Sequence, residues 1–459
     1  MQLVSSTIRS ASILFSALLI NTTLQSQENS PFSRFGLGNF MHGQHAISRS
    51  MGGISAAYAD GITMNNSQTV NFMNPASYGN FYLLSYDLAL DIDTRSLRRE
   101  QPATSFRGTN FTPSYLAVGA PIDKKKGLGL AFGMRPLSRI NYQVEQRSRL
   151  TGIDSINNIF EGRGGFNQFF VGIGKKWKNG LSVGLNTGYN FGRKNITTRT
   201  QFVNDSVVYY KANMSNNTSY GGAFFQGGFQ YEKELSERID PETKFAYKRS
   251  IRLGATYTLG QTLNAQQDRF RETFEYDGQG GTFRIDSITQ QNNIRGNIEL
   301  PSTYTAGFMF IKRVNSNRGL LDLWSFGAEY SATAWSKYRF YNQADALVDN
   351  WVVRVGGQFC PDPTNLTSYW SNVNYRFGFF SGTDYANPDG NGLKTFGVSI
   401  GAGMPMRRWR VYETQFTLIN AGLDFGRRGS NVNNITENFI RLNFSLSLSD
   451  LWFQKRKYD

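Results

Sequence analysis

The chain of 459 residues has one cysteine, two histidines and 12 prolines. With Cys360 alone, no internal disulfide exists, and nothing beside it has the setting of an activated nucleophile, so a small packed thiol is expected. His42 and His45 are the only imidazoles, which leaves general-base chemistry little to draw on. Their spacing of three suggests a metal pair, but no neighbouring carboxylate or cysteine completes a site. The expectation is a protein that is not an enzyme, with no metal and no cofactor. The chain also lacks any run of about 18 apolar residues, which excludes a transmembrane helix. It does not exclude a membrane barrel, because only alternate residues of each barrel strand meet lipid.

What is abundant points to such a barrel. There are 36 Phe, 23 Tyr and 47 Gly, and membrane barrels carry aromatic girdles at both interfaces. Formal net charge is +15. The cations fall in short clusters: Lys124 to Lys126, Lys175 with Lys176 and Lys178, Lys312 with Arg313, Arg407 with Arg408, and Lys455 to Lys457. That distribution fits solvated turns facing anionic lipid headgroups, not a nucleic-acid groove. The N-terminus reads as a signal peptide over residues 1–26, with Arg9 as the positive region and Ala11 to Ile20 as the apolar run. A polar stretch, Asn21 to Ser26, precedes cleavage near Ser26–Gln27. With no cysteine nearby, no lipoprotein anchor is expected there.

From Phe81 onward the apolar residues alternate. In the last such run Ile440, Leu442, Phe444, Leu446 and Leu448 are separated by Arg441, Asn443, Ser445 and Ser447. A β-strand points successive side chains to opposite faces, so this run has one apolar and one polar face. The same pattern gives about fourteen strands, an even number as bacterial barrels require. The first sets Leu84, Tyr86, Leu88 and Leu90 against Ser85, Asp87, Ala89 and Asp91. The thirteenth, near Phe416 and Leu418, is the least clean, and the fourteenth closes the ring. Links after even strands are mostly short, such as Asp123 to Lys126 and Lys175 to Gly180. Links after odd strands are mostly long: Asp93 to Asn110, Gln146 to Gly162, Lys194 to Tyr220 and Gln261 to Leu300. Short periplasmic turns and long outer loops place both chain ends in the periplasm.

Some long links keep β character, as at Val207 to Tyr210 and Phe283 to Ile288, which predicts hairpins beyond the membrane. Three Asp-Ser-(Ile/Val) triplets, at Asp154, Asp205 and Asp286, are similar to O-glycosylation sites of some bacteria, but strand-start chemistry is the reading favoured for them. The inward face is Gly, Ser, Thr and Asn, with charges at Asp87, Asp91, Arg252, Glu329 and Arg376. A cylinder this wide has a lumen. Residues 27–80 lack clean periodicity and are the natural plug, with residues 81–459 as the transmembrane barrel.

The stretch from Ser50 to Asp60 (SMGGISAAYAD) and that from Met73 to Asn80 (MNPASYGN) resemble the hatch of the FadL-type outer-membrane transporters of long-chain fatty acids and other hydrophobic compounds. The matching residues are Gly52, Gly53, Ala56, Ala57 and Asp60, then Asn74, Pro75 and Ala76 just before the first strand. SRFGLGNF (Ser33 to Phe40) and the closing SLSDLWFQKRKYD look like a Bacteroidetes-type branch of that family. The resemblance implies fourteen strands, a Gram-negative outer-membrane location and uptake of a hydrophobic small molecule through a plugged lumen. Gly52, Gly53 and Asn74 to Ala76 would be the moving part. No ligand-contacting residue is carried over. Some relatives of this family serve as non-transporting barrel subunits of secretion or barrel-assembly complexes, which makes other outer-membrane proteins the alternative partners.

Overall fold

The structure is a computed structural model that describes residues 30–41, 43–60, 68–99, 103–149, 155–203, 210–277, 279, 281–316, 319–365, 367–388, 390, 392–406, 415–430, 433 and 435–451. The chain begins with an inner segment carrying 3-10 turns at Pro31–Arg34 and Pro75–Asn80, a two-residue strand β1 (Asn39–Phe40) and a short helix α1 (Ala46–Ser50). Then come β2 (Leu84–Arg99), β3 (Thr104–Asp123), β4 (Leu128–Arg149), β5 (Ser155–Lys176), β6 (Leu181–Phe202) and β7 (Lys211–Ile239). They are followed by β8 (Ala246–Thr258), β9 (Gln261–Tyr276), β10 (Thr282–Leu300), β11 (Thr303–Ser316), β12 (Gly319–Thr333) and β13 (Arg339–Phe340). The last are β14 (Asn350–Phe359), β15 (Asn374–Thr383), β16 (Lys394–Pro405), β17 (Phe416–Arg428) and β18 (Ile435–Asp450).

These form a closed antiparallel barrel of 14 strands. β8 and β9 are one wall strand broken at Leu259–Gly260, β10 and β11 are another broken at Pro301–Ser302, and β13 stands off the wall. β18 pairs with β2 from Ile435↔Arg99 to Asp450↔Leu84, so the alternating run at Ile440 to Leu448 does close the ring. Its faces are inverted relative to a soluble sheet. Ile440, Leu442, Phe444 and Leu448 are 42–45% exposed, whereas Asn443, Ser445 and Ser447 are at most 1% exposed. Closure leaves no wall edge within the apolar band, which is what hydrocarbon demands of backbone N–H and C=O groups. Trp351 and Phe359, both outward on β14, lie eight residues apart, about 26 Å at ~3.3 Å per residue. At the tilt of about 35–45° usual for barrel strands this length rises about 20 Å, most of an apolar band of about 25 Å. Trp324, Phe359 and Tyr375 pair across one border of the band, and Tyr257 and Tyr304 pair near the other.

The links after odd strands are shorter than the sequence suggests, because most of their residues are strand. β4, β5 and β6 have 22 residues each and β7 has 29. Ladder bonds satisfy the backbone beyond the band, so hairpins continue there with polar side chains on both faces. Phe283 to Ile288 lies in β10, as the hairpin expectation required, with Asp286 exposed on it. Asp154, the triplet at Asp205 and the stretch from Val207 to Tyr209 fall outside the described residues, while Ser155 and Ile156 of the first triplet open β5.

Two seams interrupt the wall above the band. β3 and β4 pair only from Asp123↔Leu128 to Leu116↔Met134. Beyond this, β3 stays with β2 and β4 with β5. On the other side, β11 pairs with β12, but β10 pairs only with β9 and, at Ile298 and Glu299, with β13. Three of the chain's prolines sit at these departures: Pro113, Pro136 and Pro301. Proline cannot donate to a ladder, so it belongs where pairing stops.

Candidate functional site

The inner segment makes contacts around the ring. Gly52 and Gly53 adopt φ of +73° and +95°, a region that L side chains avoid. They turn the chain after α1 onto β14 and β15. A Cβ on Gly52 would lie 2.8 Å from the Phe379 carbonyl oxygen, and one on Gly53 2.9 Å from the Arg354 side chain. The Gly52 N–H donates to Ser399 Oγ at 2.7 Å. Asn74, Pro75 and Ala76 meet the opposite wall. Asn74 caps the turn that follows, its side chain accepting from the Ala76 N–H at 3.1 Å and donating to the carbonyls of Ala56 at 2.6 Å and Phe229 at 3.2 Å. Pro75 occupies the first position of that turn, where its missing N–H costs nothing. Asp60 accepts from the backbone and hydroxyl of Thr69 at 3.2 and 3.4 Å, joining the two halves of the segment. The expected motif residues are thus distributed over one inner body that faces β14–β15 at one end and β5–β7 at the other.

The wall is shaped to receive that body. Inward glycines stand where the segment comes closest. A Cβ on Gly129 would sit 2.0 Å from the Tyr78 oxygen, on Gly174 2.3 Å from the Pro75 oxygen, on Gly254 2.0 Å from the Ala56 oxygen, and on Gly356 2.4 Å from the Met51 oxygen. Wall side chains satisfy the segment's backbone. Glu329 accepts from the N–H groups of Ser55 at 2.7 Å and Ala56 at 2.6 Å, while Arg354 Nη1 lies 3.2 Å from its carboxylate. Gln230 donates to the Ala56 and Tyr58 carbonyls, and Arg252 to those of Ala57 and Ala59.

Arg49 is the ionic centre. Its guanidinium lies 2.5 Å from Asp91 on β2 and 3.2 Å from Asp424 on β17, with all three side chains nearly dry. Beyond it a column of charge climbs the inner wall: Arg441 to Asp93, Asp93 to Arg95, Arg95 to Glu437, and Arg428 to Asp384. Where Arg49, Asp91, Arg95, Arg139 and Arg441 meet Asn39, Asn110 and Thr112, the gap is about 20 Å³, room for one water.

Residues 30–41 occupy the β3–β4 seam from inside. The Ser30 N–H donates to the Asn141 carbonyl and the Met41 N–H to the Leu137 carbonyl, with Asn39↔Arg139 and Phe40↔Ser138 in register between them. Above this strip an apolar lid forms from Phe32, Leu37, Trp335, Tyr338, Leu347 and Tyr385, with Phe40 packed against it. The Phe40 and Trp335 rings meet at a tilt of 57° with centroids 4.8 Å apart, and Tyr385 meets Phe40 edge-on at 5.5 Å.

His45 is fully buried against Tyr58 and Phe72, and its Nε2 lies 2.8 Å from Ser48 Oγ. Burial, with the Arg376 charge, lowers its pKa to about 3. This serine–histidine pair has no access for a substrate. His42 lies outside the described residues. Among the described residues no group of three metal-ligating side chains assembles. Cys360 is buried and its thiol donates to the Ser371 carbonyl, a packed position as expected.

A family model described as BamG matches residues 7–459. Solved structures of similar fold include the CymD monoaromatic hydrocarbon channel, at 15% identity and TM-score 0.53 over 92% of this chain and 100% of that one. The P. putida toluene transporter TodX aligns at 16% identity and TM-score 0.54 over 90% and 100%. A Pseudomonas aeruginosa FadL homologue aligns at 12% identity and TM-score 0.52 over 89% and 98%. No curated protein matches the chain.

Proposed function

The chain belongs to the BamG family, and we propose that it is an outer-membrane barrel for uptake of hydrophobic compounds such as long-chain fatty acids, with both chain ends in the periplasm and residues 27–80 as its hatch. The observation that carries this reading is the β3–β4 seam, where the wall above Leu116 and Met134 is completed by residues 30–41 instead of by strand pairing. An apolar solute would enter at the aromatic lid around Phe40, Trp335 and Tyr385. It would leave where withdrawal of residues 30–41 unseals the seam toward lipid, or pass on toward the periplasm as the rest of the hatch shifts. Fold likeness to a toluene transporter and a hydrocarbon channel supports the same reading.

A second reading is favoured by the packing of the hatch itself. Its backbone fits against wall glycines and Arg49 is clamped by two carboxylates, while β4, β5, β6, β7, β9 and β10 rise as one tall sheet. A filled lumen with a large projecting surface suits a non-transporting subunit of an outer-membrane secretion or barrel-assembly complex.

One experiment separates them. In a Cys360→Ser background, the pair Asn39→Cys and Arg139→Cys, register partners across the seam, is oxidised to tie the strip to β4. For a transporter, oxidation abolishes cellular uptake of a fluorescent long-chain fatty acid and of labelled toluene, and reductant restores it. Absence of uptake in either state, with other outer-membrane proteins stably co-purifying, selects the subunit reading.

A further inference from the structure

The outside of the wall carries a concavity that the uptake path does not use. It lies just above the breaks at Leu259–Gly260 and Pro301–Ser302, measures about 660 Å³, and is lined by residues of β6, β7, β9 and β10. Strand register orders its outward side chains in rows. The lower rows hold Tyr189 and Phe191, both exposed; Phe191 pairs with Gly221, Gly221 with Asn264, and Asn264 with Asn297. In the row above, Arg193, which stands just beyond the lining, pairs with Ser219, Ser219 with Gln266, and Gln266 with Arg295, which lines the concavity. A Cβ on Gly221 would meet the Tyr189 hydroxyl at 2.5 Å, so the tyrosine ring lies across the floor where the missing side chain leaves space.

The polarity runs in one direction. Tyr189 lies nearest the apolar band, the next row sets Phe191 beside Asn264 and Asn297, and the row farthest from the band holds both arginines with Ser219 and Gln266. Arg193 and Arg295 are separated by three strand spacings, about 14 Å at ~4.8 Å each. Both are exposed, and neither has a carboxylate partner among the described residues. Glu299, the acidic group on the same side of β10, lies two rows below, opposite Arg339 of β13. An amphiphile whose chains rest on Tyr189 and Phe191 would bring its headgroup to Asn264, Gln266 and the two guanidiniums. Arginine binds phosphate with paired charge-assisted bonds. A free anion has no use for the aromatic floor, and an apolar protein surface has none for the unpaired arginines.

We propose that this groove is a binding site for a lipid with a phosphorylated headgroup bearing two anionic groups, held in the leaflet at the long-strand end of the barrel. The inference rests on the membrane-spanning reading of the wall. The full mature protein in detergent is titrated with bisphosphorylated lipid A and followed by native mass spectrometry. The expected result is a retained lipid adduct, weakened at least ten-fold in Arg193→Gln/Arg295→Gln and partly in each single variant, with weaker adducts for the monophosphorylated form and for phosphatidylethanolamine. Millimolar inorganic phosphate should not displace it. Unchanged affinity in the double variant, equal binding of phosphatidylethanolamine, or full displacement by phosphate overturns the proposal. A photo-crosslinking residue at Asn264 in cells should yield a lipid adduct, and a protein adduct there overturns it as well. Failure of the wild-type protein to insert into liposomes is a separate outcome, because it removes the membrane reading itself and the site with it.

Discussion

Gly378 of β15 and Gly52 of the inner segment meet so closely that a Cβ on Gly378 would stand 2.0 Å from the Gly52 nitrogen. Neither side can yield, since Gly52 is pinned at φ +73° and held by Ser399. Gly378→Ala should therefore unseat this end of the segment at a cost of about 1–3 kcal/mol, as overpacking of a close contact does. The expected result is earlier thermal unfolding in detergent and protease cleavage within the segment. Gly227→Ala on β7, with nothing within 4 Å of its Cβ, should change neither. Equal effects from both would mean that the inner contact is not what matters.

The Arg49 clamp predicts a sharper response. Arg49→Met leaves Asp91 and Asp424 buried, close together and without their shared cation, a loss that typically costs roughly 3–5 kcal/mol. The variant should release the segment and raise single-channel conductance in planar bilayers. Arg49→Met combined with Asp91→Asn and Asp424→Asn removes the stranded charges and should restore much of the lost stability. A triple variant as unstable as the single one would show that the guanidinium acts through packing and not through charge.

These two sites also mark what the sequence makes legible. The wall strands were readable because lipid imposes a strict period of two, and the alternation at Ile440 to Leu448 survives into the structure residue by residue. The inner segment was readable as an interruption of that period, with Gly52, Gly53 and Asn74 to Ala76 singled out within it as the part that would move. Its mates were not. Gly129, Gly254 and Gly378 look like any small inward residue, and only the path of another chain segment makes their missing side chains matter. Arg49 sits in an aperiodic stretch, with Asp91 42 residues away and Asp424 375 away. The long connections misled because polar strands above a membrane have no apolar face to betray them.

The imidazole of His45 gives a pH dependence with a definite sign. Burial, then the Arg376 charge, lowers its pKa from 6.5 to about 3. A released segment would take up a proton near pH 6.5 that the seated one refuses until about pH 3. Stability of the seated state is thus complete above pH 6.5 and declines as pH falls, by about 1.4 kcal/mol per unit for one proton. His45→Phe, which keeps an aromatic ring against Tyr58 and Phe72, should flatten this decline between pH 6.5 and 4.5. Urea midpoints of both proteins across that interval provide the check, and parallel curves would refute the assignment to His45.

The outward band supplies the test on which every membrane statement depends. Leu442 faces out at 42% exposure on the closing strand, with Leu423 and Ile92 as its register partners. In water an arginine at such a position would be harmless. In hydrocarbon it costs about 2–4 kcal/mol near the midplane. Leu442→Arg should therefore fold less readily into liposomes, with the folded band on unheated gels reduced, while Leu442→Phe behaves as wild type. The inward neighbour argues the same point in reverse. Asn443 is 1% exposed although polar, so Asn443→Leu places an apolar group against a polar interior and should disturb seating of the inner segment without hindering insertion. If Leu442→Arg instead proved neutral in the bilayer, the exposed leucines and phenylalanines of the wall would need some covering other than lipid.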